Sequence, residues 1–185
     1  VRGSRVESLH AETHRGRTLF DLHYSDLAPG LFGLGVHRGA LFELLFSELG
    51  RTSASLRCGE SVVRIAPAEA RMIVHGERTE LGAHDLVVVA DGARSRLRQL
   101  STQLERARPY GWGALWFVGT DPEQRFARTL SQVCRSTRRM LGFLPTGLGP
   151  GNASTPLVSM FWSLRMDTVD SWRQLGLAQW KEELA

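Results

Sequence analysis

Asp91-Gly92-Ala93-Arg94-Ser95-Arg96-Leu97-Arg98 gathers a carboxylate, a glycine, a hydroxyl and three guanidiniums directly after the apolar run Leu86–Ala90. In an open α/β sheet, ligands sit beyond the carboxyl ends of the strands, which is where Asp91 would lie. Gly92 allows a sharp turn there, and Ser95 can cap whatever follows. Arg94, Arg96 and Arg98 offer the paired, charge-assisted hydrogen bonds that phosphate accepts. An ordinary strand-turn-helix with solvated arginines uses the same residues, and residue types alone leave both readings open.

Other constellations are weaker. His10 and His14 stand four apart, a metal-ligand spacing on a helix, but no acidic third ligand accompanies them, so they read as loop or surface histidines. Cys58 and Cys134 form neither a disulfide framework nor a zinc spacing. They read as small apolar groups, with a single pairing between them left open. No Gly-x-Ser-x-Gly elbow anchors a hydrolase triad. Gly33, Gly35 and Gly39 imitate a dinucleotide fingerprint, without the preceding buried strand and with the wrong last spacing. Trp112, Trp116, Trp162, Met160 and Phe161 read as core or sheet-face packing. No residue stands out as catalytic, and none as a metal ligand.

The elements that must position these groups alternate in type. Leu19–Tyr24 reads as a strand. Gly39 to Leu49 carries Leu41, Leu44, Leu45 and Leu49 at helical spacing, and Gly50 stops it. Val62–Ile65 and Met72–Val74 are expected strands. Leu86–Ala90 predicts a strand buried on both faces. Trp112–Val118 and Leu157–Leu164 predict strands, Gln124–Thr137 a helix, and the segment from Asp167 onward a second helix. Leu27-Ala28-Pro29-Gly30 is a turn, and Gly142 to Pro156, with four glycines and three prolines, predicts a loop.

The chain has 185 residues, 42% of them hydrophobic and 23% charged, the balance of a soluble globular protein of one domain or two small ones. No apolar run approaches the ~20 residues that span a bilayer, and no signal-peptide core opens the sequence, so a cytoplasmic, thiol-reduced protein without a membrane partner is expected. Of 23 basic residues only Lys181 is lysine. The arginines are spread among 19 acidic residues rather than clustered with aromatics, which argues against a nucleic-acid partner.

Asp-Gly-x-x-Ser-x-x-Arg after a valine-rich strand resembles the second flavin fingerprint of the para-hydroxybenzoate hydroxylase-like family of FAD-dependent monooxygenases. Gly35-Val36-His37-Arg38-Gly39-Ala40-Leu41 resembles that family's short strand ending in an arginine that contacts the FAD phosphates and feeds a leucine-patterned helix. Tyr110–Trp116, Leu144–Gly147 and Phe161–Leu164 look like the sheet of its substrate domain. The resemblance implies an α/β fold, an α+β mixture in which residues 31–98 form a partial, Rossmann-like FAD-binding domain. Residues 1–30 and 99–185 then form parts of an antiparallel-sheet substrate domain.

It further implies FAD as cofactor, NAD(P)H as co-substrate and a small organic molecule, aromatic in type, as substrate, with a homo-oligomer as an open option. The implied cofactor-binding residues are Arg38, Val62, Asp91, Gly92, Ser95 and Arg98. A halogenase, epoxidase or reductase of the same fold is the alternative, and a non-catalytic nucleotide-binding or interaction domain the rival from another class. The family's first Gly-x-Gly-x-x-Gly and its later Gly-Asp motif do not occur in these residues, so an internal fragment, inactive alone, is the expectation.

Overall fold

The computed structural model describes residues 2–100 and 108–184. The chain divides into two compact units, Val1–Thr52 with Tyr110–Ala185, and Ser53–Pro109.

The larger unit is built on a seven-stranded sheet. Its strands are β1 (Ser4–Thr13), β2 (Thr18–His23), β3 (Gly33–Gly35), β7 (Trp112–Thr120), β8 (Arg128–Arg135), β9 (Arg139–Leu148) and β10 (Pro156–Arg165), numbered in chain order with the smaller unit's β4–β6. The order is β2-β1-β8-β9-β10-β7, with β3 extending β1's pairing beside β2. Every pairing is antiparallel except β1 with β8. The sheet is therefore mixed, and its parallel pair brings the N-terminal strand into the interior. His10, expected in a loop or at the surface, sits on β1 opposite Asp21 of β2 with its side chain part-exposed. Four residues along a strand do not juxtapose two side chains, and His14 lies beyond the strand in the turn.

Two stretches of the larger unit depart from expectation. Gln124–Thr137 is a capped turn followed by strand β8, not a helix. Asp121, buried, accepts the Arg125 and Phe126 N–H groups at 3.0 and 3.2 Å. Ser131 to Cys134 then pair with β1 on one side and β9 on the other, and that two-sided ladder outweighs a local helical pattern. The Gly- and Pro-rich stretch begins as strand β9. A Cβ on Gly142 would lie 2.0 Å from the Phe161 ring, and one on Gly147 (φ +72°) 2.0 Å from the Arg2 carbonyl oxygen. These glycines mark close approach within a strand, and the loop starts only at Gly149.

Alternation along β10 and its partners divides the side chains between the sheet's two faces. Phe161 and its cross-strand partner Trp116 share one face and stack with centroids 5.4 Å apart. Trp162 lies on the other, covered by helix α2 (Val169–Leu184). There Trp180 stacks on Phe117 at 5.1 Å and meets Trp162 and Trp172 edge-on. Gly176, at φ 76° and ψ 166°, breaks α2 into two helical pieces.

Helix α1 (Arg38–Leu49) follows β3. Gly50 ends it as expected, but with right-handed φ, so the glycine's freedom is not used. Its packing is inverted: Ala40 is buried and Glu43 is tied to Arg2 and Gly151, while Leu41, Phe42, Leu44, Leu45 and Phe46 are exposed.

The smaller unit is an antiparallel three-stranded sheet, β4 (Val62–Ala68), β5 (Arg71–Gly76) and β6 (Glu80–His84). Its core is Ile65, Val74 and Leu97, flanked by Val62, Met72, Leu81 and Val87. Leu86–Ala90 is not a strand and is not buried on both sides. Val87 packs on the core while Leu86 and Val88 are each 78% exposed, and the run pairs with no strand among the described residues. β-branched residues favour extended backbone, but a strand exists only where a neighbour completes its hydrogen bonds.

Candidate functional site

The smaller unit brings five of the six candidate binding residues into one neighbourhood. Gly92 adopts φ +88°, where a non-glycine residue is strained, and nothing lies within 4 Å of where its Cβ would be. The glycine is required by backbone conformation rather than by crowding, and it leaves the chain bare on that side. Its carbonyl accepts the Ser95 N–H at 3.1 Å, closing the turn. The Ser95 hydroxyl then accepts the Leu97 N–H at 3.2 Å and so starts the short 3-10 turn Leu97–Leu100. Arg98 reaches back to donate to the Ala93 carbonyl, which pins its guanidinium over the same turn.

Two adjoining clefts flank this turn. One, about 590 Å³, is lined by Val89, Asp91, Gly92, Ser95 and Arg98. The other, about 570 Å³, is lined by Val62, Val63, Val87, Asp91, Arg94 and Arg96. Asp91 belongs to both, and its exposed carboxylate has no hydrogen-bond or ion-pair partner among the described residues. Val62 supplies apolar wall on the second side. The set offers an acceptor for hydroxyls, guanidiniums for phosphate and a stretch of open backbone, which are the contacts a nucleotide-like ligand uses.

Arg38 belongs to the larger unit. It is the first residue of α1, exposed, with no partner among the described residues. His37 caps the helix, its Nδ1 accepting the Gly39 N–H at 3.1 Å. An unpaired guanidinium on the positive end of a helix suits an anion. The cap itself went unread in the sequence, where its only signal is a histidine two residues before Gly39.

Among the described residues no group of three His, Cys, Asp or Glu could hold a metal. Both cysteines are free thiols. No helix among the described residues is long and apolar enough to cross a membrane.

No protein-family model and no curated protein sequence matches the chain. Solved structures do. PqsL of Pseudomonas aeruginosa, described as a probable FAD-dependent monooxygenase, superposes with TM-score 0.71 at 18% identity, over 91% of this chain and 45% of its own. A substituted form of HpxO from Klebsiella pneumoniae, solved in complex with FAD, gives 0.69 at 16% identity, over 89% of this chain and 42% of its own. FqzB gives 0.64 at 19% identity, over 89% and 38%. The chain thus has the mixed α/β fold found in part of these proteins, and it spans 38% to 45% of their length.

Proposed function

We propose that this chain is the part of an FAD-dependent monooxygenase that holds one side of the flavin dinucleotide and carries the sheet of the substrate domain. The observation that carries the reading is the Asp91–Arg98 turn: Gly92 at φ +88° and an unpartnered Asp91 carboxylate stand at the junction of two clefts. That turn occurs in a fold shared with a protein solved with FAD. The residues fit the cofactor. Asp91 would accept from its hydroxyls, Arg38 and Arg98 would face its phosphates, Val62 would pack against it, and Gly92 and Ser95 would shape the backbone beside it.

When bound, FAD supplies the oxygen-transfer chemistry, with electrons from NAD(P)H. The chain's own part is to bind, to orient and to exclude water; no side chain here is proposed as an acid or base. In this reading residues 31–98 serve the cofactor, and residues 1–30 and 99–185 serve a small organic, aromatic substrate. The reading assigns no nucleic-acid or membrane partner, places the protein in the cytoplasm and leaves room for a homo-oligomer. The 185 residues alone, which lack the pyrophosphate-binding glycine motif, are proposed to retain no FAD and to have no monooxygenase activity.

The test expresses the longest gene product that contains this chain and reads its flavin absorbance after dialysis. Retained flavin is expected, and Arg38→Ala should weaken it by about 1.5–3 kcal/mol through loss of a charge-assisted contact. A product that neither retains nor titrates with FAD, or an Arg38→Ala form that holds it like the parent, overturns the reading.

A further inference from the structure

The large sheet ends in two edge strands of opposite character. β2 lies at one side, where Asp21 Oδ1 stands 3.6 Å from His10 Nδ1 and 3.9 Å from His23 Nε2. Charged groups on an edge oppose pairing with another chain. β7 lies at the other side, and its nine residues, Trp112–Thr120, include no charged side chain and no proline.

β7 pairs with β10 along its whole length, from Trp112 opposite Arg165 to Thr120 opposite Leu157. No described strand lies on its outer side, so every second residue turns an N–H and a C=O away from the sheet. The side chains of this edge are open as well. Trp116 is 55% exposed and Val118 46% exposed, and Ala114 beside them on the same face is exposed too. Trp116 stacks inward on Phe161, and no ring of the described residues meets it from outside.

The strand's own sequence says what completes it. Two copies of one strand, paired antiparallel about a two-fold axis, centre on a residue that faces its own copy. Only a centre at Trp116, the midpoint of β7, engages all nine residues. That register sets Ala114 opposite Val118 and Leu115 opposite Phe117, small against large on both faces, and Gly113 opposite Gly119. No like charges meet. The two Trp116 rings become cross-strand neighbours, so a row of rings runs Phe161, Trp116, Trp116, Phe161 across the junction. We infer that β7 is the interface of a two-fold homodimer, in which two copies of the seven-stranded sheet join edge to edge. The surface lies in the larger unit and does not rest on the flavin reading.

Sedimentation velocity of the chain over a dilution series should show a monomer–dimer equilibrium. Ala114→Lys/Val118→Lys sets lysine opposite lysine at both of these pairs and should weaken the dimer about tenfold. Ala114→Glu/Val118→Lys changes the same two exposed positions but sets glutamate opposite lysine, and should dimerise within about threefold of the parent. Tryptophan fluorescence checks that each variant is folded. In amide exchange, alternate amides of β7 should gain protection as concentration rises, and those of β2 should not. A monomer at every concentration, or equal weakening by the two double variants, would overturn the inference. So would growth beyond dimers, or protection gained in α1 or residues 86–90 in place of β7. None of these outcomes bears on FAD retention.

Discussion

The two units differ in how completely each satisfies itself. In the larger one, β1 is hydrogen-bonded along both edges, and α2 covers one face, its Trp180 meeting Trp162 of β10 and Trp172 edge-on. Its strand glycines Gly35, Gly142 and Gly147 sit where another chain segment already fills the Cβ position. In the smaller one, three strands close over three buried residues, and the apolar run 86–90 lies largely in solvent. Its key glycine has empty space around it. The unit that bears the Asp91–Arg98 turn is thus the one with little core of its own.

That contrast predicts where substitution hurts. All five tryptophans, at 112, 116, 162, 172 and 180, belong to the larger unit, so their fluorescence reports its unfolding alone. The largest effect should come from Gly35→Val. A Cβ there would lie 1.9 Å from the Pro145 carbonyl oxygen, a backbone atom that cannot rotate away. A loss of about 3 kcal/mol or more is expected in a fluorescence-monitored urea titration. An unchanged midpoint would mean that β3 and β9 do not approach as described.

Asp121→Ala should cost less, about 1–3 kcal/mol by the same measurement, because two backbone donors of the turn before β8 lose their acceptor. A neutral result would remove Asp121 as the reason that stretch is a turn rather than a helix.

Gly92→Ala sharpens the comparison from the other side. With nothing to strike, the new methyl acts only through positive φ, at about 1–2 kcal/mol. The loss should appear as faster amide exchange within residues 53–109 while the tryptophan curve stays put. A shift of the tryptophan curve would show that the two units unfold as one.

The smallest effect is electrostatic. The Gly151 N–H, and then the Arg2 guanidinium, hold the exposed Glu43 carboxyl below its ordinary pKa. A carboxyl depressed by folding contributes stability above its unfolded pKa and loses it as pH falls through the folded value. Acid titration of the larger unit should therefore lose a small increment below the usual carboxylate range, and Glu43→Gln should flatten that part of the curve. An identical acid limb in the variant would mean the contact is too solvent-screened to register.

The local patterns were readable where chemistry along the chain is enough to decide. Leucine spacing and Gly50 placed α1, and short apolar runs placed β2, β4, β5, β7 and β10. The Asp91–Arg98 turn was legible because glycine's left-handed conformation and the serine cap are properties of neighbouring residues. Leu27–Gly30 turns as expected, with Gly30 at φ +79° and the Leu31 N–H on the Ala28 carbonyl. Tertiary structure decided what depends on a partner far along the chain. β8 is a strand because β1, more than a hundred residues earlier in sequence, lies parallel beside it. Gly142 and Gly147 continue a strand because Phe161 and Arg2 occupy the space a side chain would need. Leu86–Ala90 has the composition of a buried strand and no ladder, because hydrogen bonds between strands belong to pairs, and one strand's residues carry only half of that information.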